Sequence, residues 1–182
     1  MKVGILPVGK VDPIVTLRIQ EKLMKIFPDT KCLVIDEQLA LPEESFDKKR
    51  GQHRSNVILS EIQGYAAKKK GLDRVLGVVD ADIFASQLNF AFGEATCPGK
   101  AALISLWRLK PEFYGAPRNV ELFTERSLKE AVHELGHTLG LRHCSRPSCV
   151  MYFSNSIFDT DRKQSFCDQC YIQVAMSINN LG

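Results

Sequence analysis

Apolar residues in the first 80 positions fall into three short runs separated by longer amphipathic stretches. The runs cover residues 2–8, Cys32–Ile35 and Val75–Val79, and their length and largely apolar character predict buried strands. Because strands and helical stretches alternate along the chain, the pattern predicts an α/β fold whose sheet is joined by right-handed crossovers.

Two amphipathic helices are predicted between these strands. We expect Asp12 to cap the first helix, Pro13 to be its first residue and Pro28 to end it. The second helix should cover about residues 55–70 and end before Gly71, because glycine commonly terminates helices.

Two polar segments predict connections between elements. Residues 36–54 are mostly polar or charged, so we expect a long loop in which His53 is a solvated side chain. Residues 109–123 contain two prolines and one glycine and should form a second connection.

Two further strands are expected after residue 80. Residues 88–93 alternate only loosely between apolar and polar and predict an edge strand, with Gly93 at a bulge or a close backbone approach. The segment Ala101–Leu106 is apolar enough to be another buried strand.

The last part of the chain is predicted to be helical. One helix should start near Thr124 or Ser127, since Ser127 and Glu130 have the spacing of a capping box, and should run to about Leu139. A final helix is expected over residues 161–179.

The composition is that of an ordinary globular domain. The chain has 182 residues, of which 45% are hydrophobic and 25% charged, and a net charge of +3. We therefore expect a single domain over residues 1–182, a monomer without nucleic-acid or membrane partners. The apolar run at the N-terminus is too short for the core of a signal peptide, which favours a cytoplasmic protein.

Three histidines form the strongest chemical signal. His133 and His137 are four residues apart, so both side chains lie on one face of a helix and can bind one metal ion. Gly140 lets the chain turn back, which allows His143 to supply a third ligand. Three imidazoles leave one coordination position open, as in catalytic zinc sites, and Glu134 is placed to act there as a base on water.

Four of the six cysteines lie close together in sequence and argue for a second metal site. They are Cys144, Cys149, Cys167 and Cys170. Two short-spaced pairs of thiolates fit a closed, structural zinc site that ties the loop after the histidines to the last helix. A redox-active pair at 167–170, an iron–sulfur cluster and unliganded thiols are the alternatives. Cys32 and Cys97 have no partner at ligand spacing, and we expect Cys32 in the core.

The string H-E-x-x-H-x-x-G-x-x-H over residues 133–143 resembles the metzincin zinc peptidases, and Val150-Met151-Tyr152 fits their methionine turn. The cysteines that follow make residues 133–170 similar to the archaemetzincin family. Some metzincins have a tyrosine two positions after the methionine, where this chain has Phe153. We therefore expect Tyr152 to have a packing role and Met151 to be a hydrophobic floor for the metal site.

This resemblance implies a compact α/β domain with a mixed, twisted sheet, an antiparallel edge strand and helices packed on it. The active-site helix would be followed by the methionine turn and a C-terminal helix. The family also implies two zinc ions per chain. One would be catalytic, bound by His133, His137 and His143 with Glu134 as acid and base, and one structural, bound by Cys144, Cys149, Cys167 and Cys170.

The expected activity is zinc-dependent hydrolysis of peptide bonds in a peptide or protein, by water activated by Glu134. An extended substrate would pair with the sheet edge near residues 88–93. One alternative is a zinc-dependent peptide-binding protein with little or no turnover, in which Cys144 would cap the histidine-bound metal. Another is a metal-dependent hydrolase of non-peptide amides.

Overall fold

The computed structural model describes residues 1–181 and contains a five-stranded sheet with helices on both faces. In chain order the strands are β1 (Lys2–Val8), β2 (Lys31–Val34), β3 (Phe46–Asp47), β4 (Gln52–Arg54), β5 (Arg74–Val79), β6 (Ile83–Phe84), β7 (Gly93–Ala95) and β8 (Ala101–Ser105). The helices are α1 (Pro13–Ile26), α2 (Ser55–Lys68), α3 (Val120–Thr138), α4 (Ile157–Arg162) and α5 (Asp168–Asn179).

The large sheet has the order β2-β1-β5-β8-β7. Adjacent strands in this sheet are parallel, except that β7 and β8 are antiparallel to each other. The predicted α/β class and the antiparallel edge strand are thus confirmed. Among residues 1–181, no strand pairs with the outer edge of β7.

The first helix begins as its sequence predicts. The Asp12 side chain accepts a hydrogen bond from the backbone N–H of Ile14 at 2.9 Å, and Pro13 is the first helical residue. The second helix, α2, ends at Lys68, three residues before Gly71, which has a φ of 84°. Both N- and C-terminal signals therefore act close to their predicted positions.

Side chains along β1 point alternately to the two faces of the sheet, and the core therefore has two layers. Val3 and Ile5 face α1 and α3, and they pack with Ala131 of α3. Leu6 faces the opposite side, where Ile58 of α2 packs. Because α3 lies on the same face as α1, it is buried along one side for most of its length, which gives the histidine-bearing helix a rigid support.

Residues 36–54 were predicted to form a long loop, but they contain regular structure. They contain β3 and β4, which form a small sheet with β6 in the order β3-β4-β6. His53 lies on β4 and is partly buried: its Nδ1 is 2.7 Å from the Ser45 hydroxyl, and its ring lies 5.0 Å from that of Phe46. The solvated-loop prediction for His53 is therefore wrong, and burial lowers the pKa of this histidine.

The edge strand is shorter and later than predicted. Only Gly93–Ala95 pairs with β8, and of the predicted segment 88–93 only Gly93 belongs to the strand. Ala91 instead makes an isolated bridge to Ile83, so the chain leaves one sheet partner and joins another within two residues.

Helix α3 begins earlier than Thr124 or Ser127. The cap is Asn119, whose side chain accepts from the N–H of Leu122 at 3.0 Å. Ser127 lies inside the helix, and its hydroxyl donates to the Phe123 carbonyl at 2.8 Å. The capping-box spacing of Ser127 and Glu130 therefore lies inside a longer helix, and the predicted helix start is wrong.

The final helix is divided into α4 and α5 rather than continuous over residues 161–179. Between them, Lys163 has extended backbone, and the N–H of Gln164 donates to Ser148 O at 2.9 Å. The intervening segment therefore lies alongside the residues that precede Met151. None of the helices within residues 1–181 has the length and apolarity needed to cross a membrane.

Candidate active site

Helix α3 places two of the candidate metal ligands one turn apart. His133 and His137 lie near its C-terminal end, and their Nε2 atoms are 3.1 Å apart. The helix ends at Thr138, and Gly140 adopts a φ of 91° while its N–H donates to His137 O at 2.8 Å. This left-handed turn directs the chain back and brings His143 to the other two histidines.

The three histidine side chains converge on one point. Each offers a nitrogen within 4.8 Å of the others. The Nδ1 of His133 lies 2.8 Å from Val150 O, and that of His137 lies 2.7 Å from Leu141 O. A carbonyl only accepts, so both Nδ1 atoms carry the proton, and both Nε2 atoms present lone pairs to each other.

Two facing lone pairs at 3.1 Å repel each other unless a cation lies between them. A tetrahedral zinc ion with Zn–N distances of about 2.0–2.1 Å places its ligand nitrogens roughly 3.3 Å apart. The observed separation and the donor types therefore fit zinc.

Burial keeps these histidines in the neutral form that a metal requires. It is the main cause that lowers the pKa of His133 well below 6.5, and the nearby Lys163 cation lowers it further. Burial also lowers the pKa of His137 and of His143. Little proton competition for the ligand nitrogens is therefore expected at neutral pH.

Glu134 is buried beside the histidines and packs against the edge strand. A Cβ atom added to Gly93 would lie 2.6 Å from both Cγ and Oε1 of Glu134. The close backbone approach predicted for Gly93 is thus observed, and Glu134 is its partner. Burial raises the pKa of Glu134 well above its usual value, with a further contribution from the charge of Glu130.

The methionine turn lies directly beneath α3. Met151 is fully buried, and a Cβ atom added to Gly136 would lie 2.5 Å from its sulfur. Phe153 packs its ring 5.0 Å from that of His143, on the cleft side of the turn. Met151 therefore supports the helix from below, as expected.

The four clustered cysteines come together in space, with each sulfur within 4.8 Å of the others. The sulfurs of Cys144 and Cys167 are 3.9 Å apart, which exceeds a disulfide bond and matches the roughly 3.8 Å expected between thiolates on a tetrahedral zinc ion. The backbone N–H of Cys167 donates to the Cys149 sulfur at 3.4 Å. Another such bond, from the N–H of Cys170, lowers the pKa of Cys167 to about 7.

This arrangement bears on the alternatives for the cysteines. Cys167 and Cys170 do lie at the start of α5, as in redox-active pairs, but Cys144 and Cys149 share the same point with them. Cys144 turns toward this cluster although it directly follows His143. The donor set fits a closed four-thiolate zinc site.

A cleft of about 460 Å³ opens over the histidines. One wall is the segment 85–95, which ends with the edge strand, and the other is residues 153–155. His133, Glu134 and the other two histidines lie in this cleft. An extended chain laid along β7 would cross the histidine site.

Sequence reasoning missed a buried ion pair next to the site. Lys163 and Glu130 are both almost fully buried, with Nζ and Oε1 3.2 Å apart, and Thr160 donates to the same oxygen at 2.9 Å. Thr160 also contacts the hydroxyl of Ser154 in the cleft wall. The only sequence signal is that Glu130 precedes Glu134 by one helical turn.

Comparisons with known proteins agree with this geometry. The model of peptidase family M54 matches residues 15–176. The chain is 43% identical over 171 residues to the archaemetzincin of Methanocaldococcus jannaschii, covering 93% of this chain and 90% of that protein. It is 38% identical over 180 residues to the archaemetzincin of Sulfolobus acidocaldarius, covering 98% of both.

The fold is also that of a solved archaemetzincin. The crystal structure of the Methanopyrus kandleri protein superposes with a TM-score of 0.85 at 35% identity, covering 98% of this chain and 96% of that one. The chain therefore belongs to peptidase family M54, the family of the archaemetzincins, and is a zinc metallopeptidase.

Proposed function

We propose that this chain cleaves peptide bonds in an extended peptide, with Glu134 as general base and acid. The proposed ligands of the catalytic zinc are His133, His137 and His143. The proposed ligands of a structural zinc are Cys144, Cys149, Cys167 and Cys170. The observation that carries the proposal is the pair of converging Nε2 lone pairs beside a buried glutamate.

Zinc bound by the three histidines would lower the pKa of a water molecule and polarise the scissile carbonyl. Glu134 lies next to His133 on the helix and is held by Gly93, so its carboxylate borders the same cleft. It would take the proton from the attacking water and deliver that proton to the departing amine.

The peptide would lie along the free edge of β7. Extended backbone can form hydrogen bonds with the strand's unpaired N–H and C=O groups, and this holds the scissile bond across the histidines. The opposite wall, at residues 153–155, would contact side chains on the other side of the peptide.

The four-cysteine site would have no catalytic part, since four thiolates fill a tetrahedral zinc ion. It joins the residues after His143 to the start of α5. Its metal would contribute to the free energy of folding.

The test compares zinc-loaded Glu134→Ala with Glu125→Ala, an exposed glutamate of the same helix. Glu134→Ala should keep both zinc ions and lose at least about a hundredfold in kcat on a peptide library, while Glu125→Ala should match the parent. Full turnover by Glu134→Ala would contradict the mechanism. A parent protein that binds peptides but cleaves none would favour the peptide-binding alternative.

A further inference from the structure

The part of the cleft wall that precedes β7, residues 85–92, has little regular structure of its own. Leu88 and Asn89 line the cleft, and Gln87 has a φ of 65°, unusual for a residue other than glycine. A turn links Leu88 N to Ala85 O at 3.1 Å. The shape of this wall therefore depends on the groups that contact it from behind.

Arg50, in the turn between β3 and β4, makes such contacts. Its Nη2 donates to Leu88 O at 3.0 Å and to Asn89 O at 2.8 Å. Its guanidinium lies 4.0 Å from the centre of the Phe84 ring. One planar cation thus holds two successive carbonyls of the wall, and Arg50 itself lies outside the lining of the cleft.

A second group of side chains supports the same wall. Gln52 donates from Nε2 to Asn89 O at 3.1 Å and to Asp82 Oδ2 at 3.2 Å, and it accepts from Arg50 Nε at 3.0 Å. Asp82 in turn accepts two hydrogen bonds from Arg108, at 2.6 and 2.8 Å. The Arg108 guanidinium lies 4.6 Å from the ring of Phe90, another residue of the wall.

From this geometry we infer that Arg50 is a positioning residue for peptide binding. It holds the wall segment 85–92, which an extended substrate would contact where it continues past β7. Arg50 contacts neither the histidines nor Glu134. The inference rests on the proposed function, because it assigns Arg50 a role in binding the peptide rather than in the chemical step.

The test measures KM and kcat separately for zinc-loaded Arg50→Met. We expect KM for a long, internally quenched peptide to rise about tenfold, because the charge-assisted hydrogen bonds to the wall are lost, with kcat within about twofold of the parent. A short substrate that does not reach the wall should keep its KM. Arg50→Lys should fall between parent and Arg50→Met, since an ammonium lacks the planar fork.

Arg54→Met is the matched control. Arg54 lies three residues after the end of the same turn and pairs with Asp47 at 2.6 Å instead of with the wall. Replacement of Arg54 should leave KM unchanged for both the long peptide and the short substrate. An unchanged KM in Arg50→Met, or an equal rise in Arg54→Met, would overturn the inference.

Amide hydrogen exchange tests the inference even if the proposed peptidase activity fails. Arg50→Met should speed exchange in residues 85–92 while α3 keeps its protection. Unchanged exchange in this segment would overturn the positioning role. If the parent cleaves no peptide and Arg50→Met still exchanges faster than the parent in residues 85–92, the role of Arg50 in shaping the wall is supported and only the proposed function is refuted.

Discussion

Replacing Gly93 by alanine should impair the chemical step while leaving the metal sites intact. The added Cβ would lie 2.6 Å from Cγ and Oε1 of Glu134, whereas carbon atoms in contact are normally about 3.5–4.0 Å apart. Glu134 must therefore move by roughly 1 Å, or the strand must move instead.

The strand has little freedom to yield. The same Cβ would lie 2.6 Å from Leu103 O, and Glu94 is registered opposite Leu103 in the pairing of β7 with β8. A displacement of about 1 Å in a catalytic group can reduce kcat about a hundredfold, so we expect a loss of that size. Overpacking should also reduce the free energy of unfolding by about 1–3 kcal/mol.

The assay is peptide cleavage by the zinc-loaded variant, accompanied by a zinc count and chemical unfolding. Gly64→Ala in α2 is the control, because a Cβ there meets nothing within 4 Å and should leave activity unchanged. If Gly93→Ala keeps two zinc ions and the parent's kcat, the packing of Glu134 on Gly93 does not position the base, and this reasoning is refuted.

Three further outcomes are expected. Cys149→Ser should remove one zinc ion per chain and lower the melting temperature by roughly 10 °C or more, since zinc binding contributes to folding, whereas Cys97→Ser should retain both ions by elemental analysis. At pH 8, iodoacetamide should label the exposed Cys97 but not Cys32. Burial raises the pKa of the Cys32 thiol to about 12, so its reactive thiolate forms only as the pH rises toward that value. Equal labelling of the two cysteines in peptide mass spectrometry would contradict this. Lys163→Met should lower the free energy of unfolding by about 3–5 kcal/mol because Glu130 is left buried and unpaired, and adding Glu130→Gln should recover part of the loss in denaturant titrations.

The features predicted best from the sequence are those encoded by neighbouring residues. His133 and His137 need only a helix to share one face, and Gly140 needs only its left-handed φ to return the chain toward them. The cap at Asp12 is similarly local. In each case the relevant contact spans only a few residues, so composition and spacing are enough.

The features that were missed depend on contacts between distant parts of the chain. Strands β3, β4 and β6 have only two or three residues each, too few to show a period, and they form because β4 pairs with a segment about 30 residues away. The Lys163–Glu130 pair joins residues 33 apart, and Lys163 is the residue at which α4 ends. Nothing local distinguishes this lysine from an exposed one.

The direct succession of His143 and Cys144 has a thermodynamic consequence. The first belongs to the histidine cluster and the second to the cysteine cluster, so one peptide unit joins the two proposed zinc sites. Binding of one metal orders the chain between Gly140 and Met151, which lowers the conformational entropy of that segment. The second metal then binds a segment that is already ordered, so the entropy cost of its binding is smaller. Linkage is reciprocal, so each ion should tighten the binding of the other by the same factor. We therefore expect the two metals to bind cooperatively, although only the histidine-bound metal has a proposed role in catalysis.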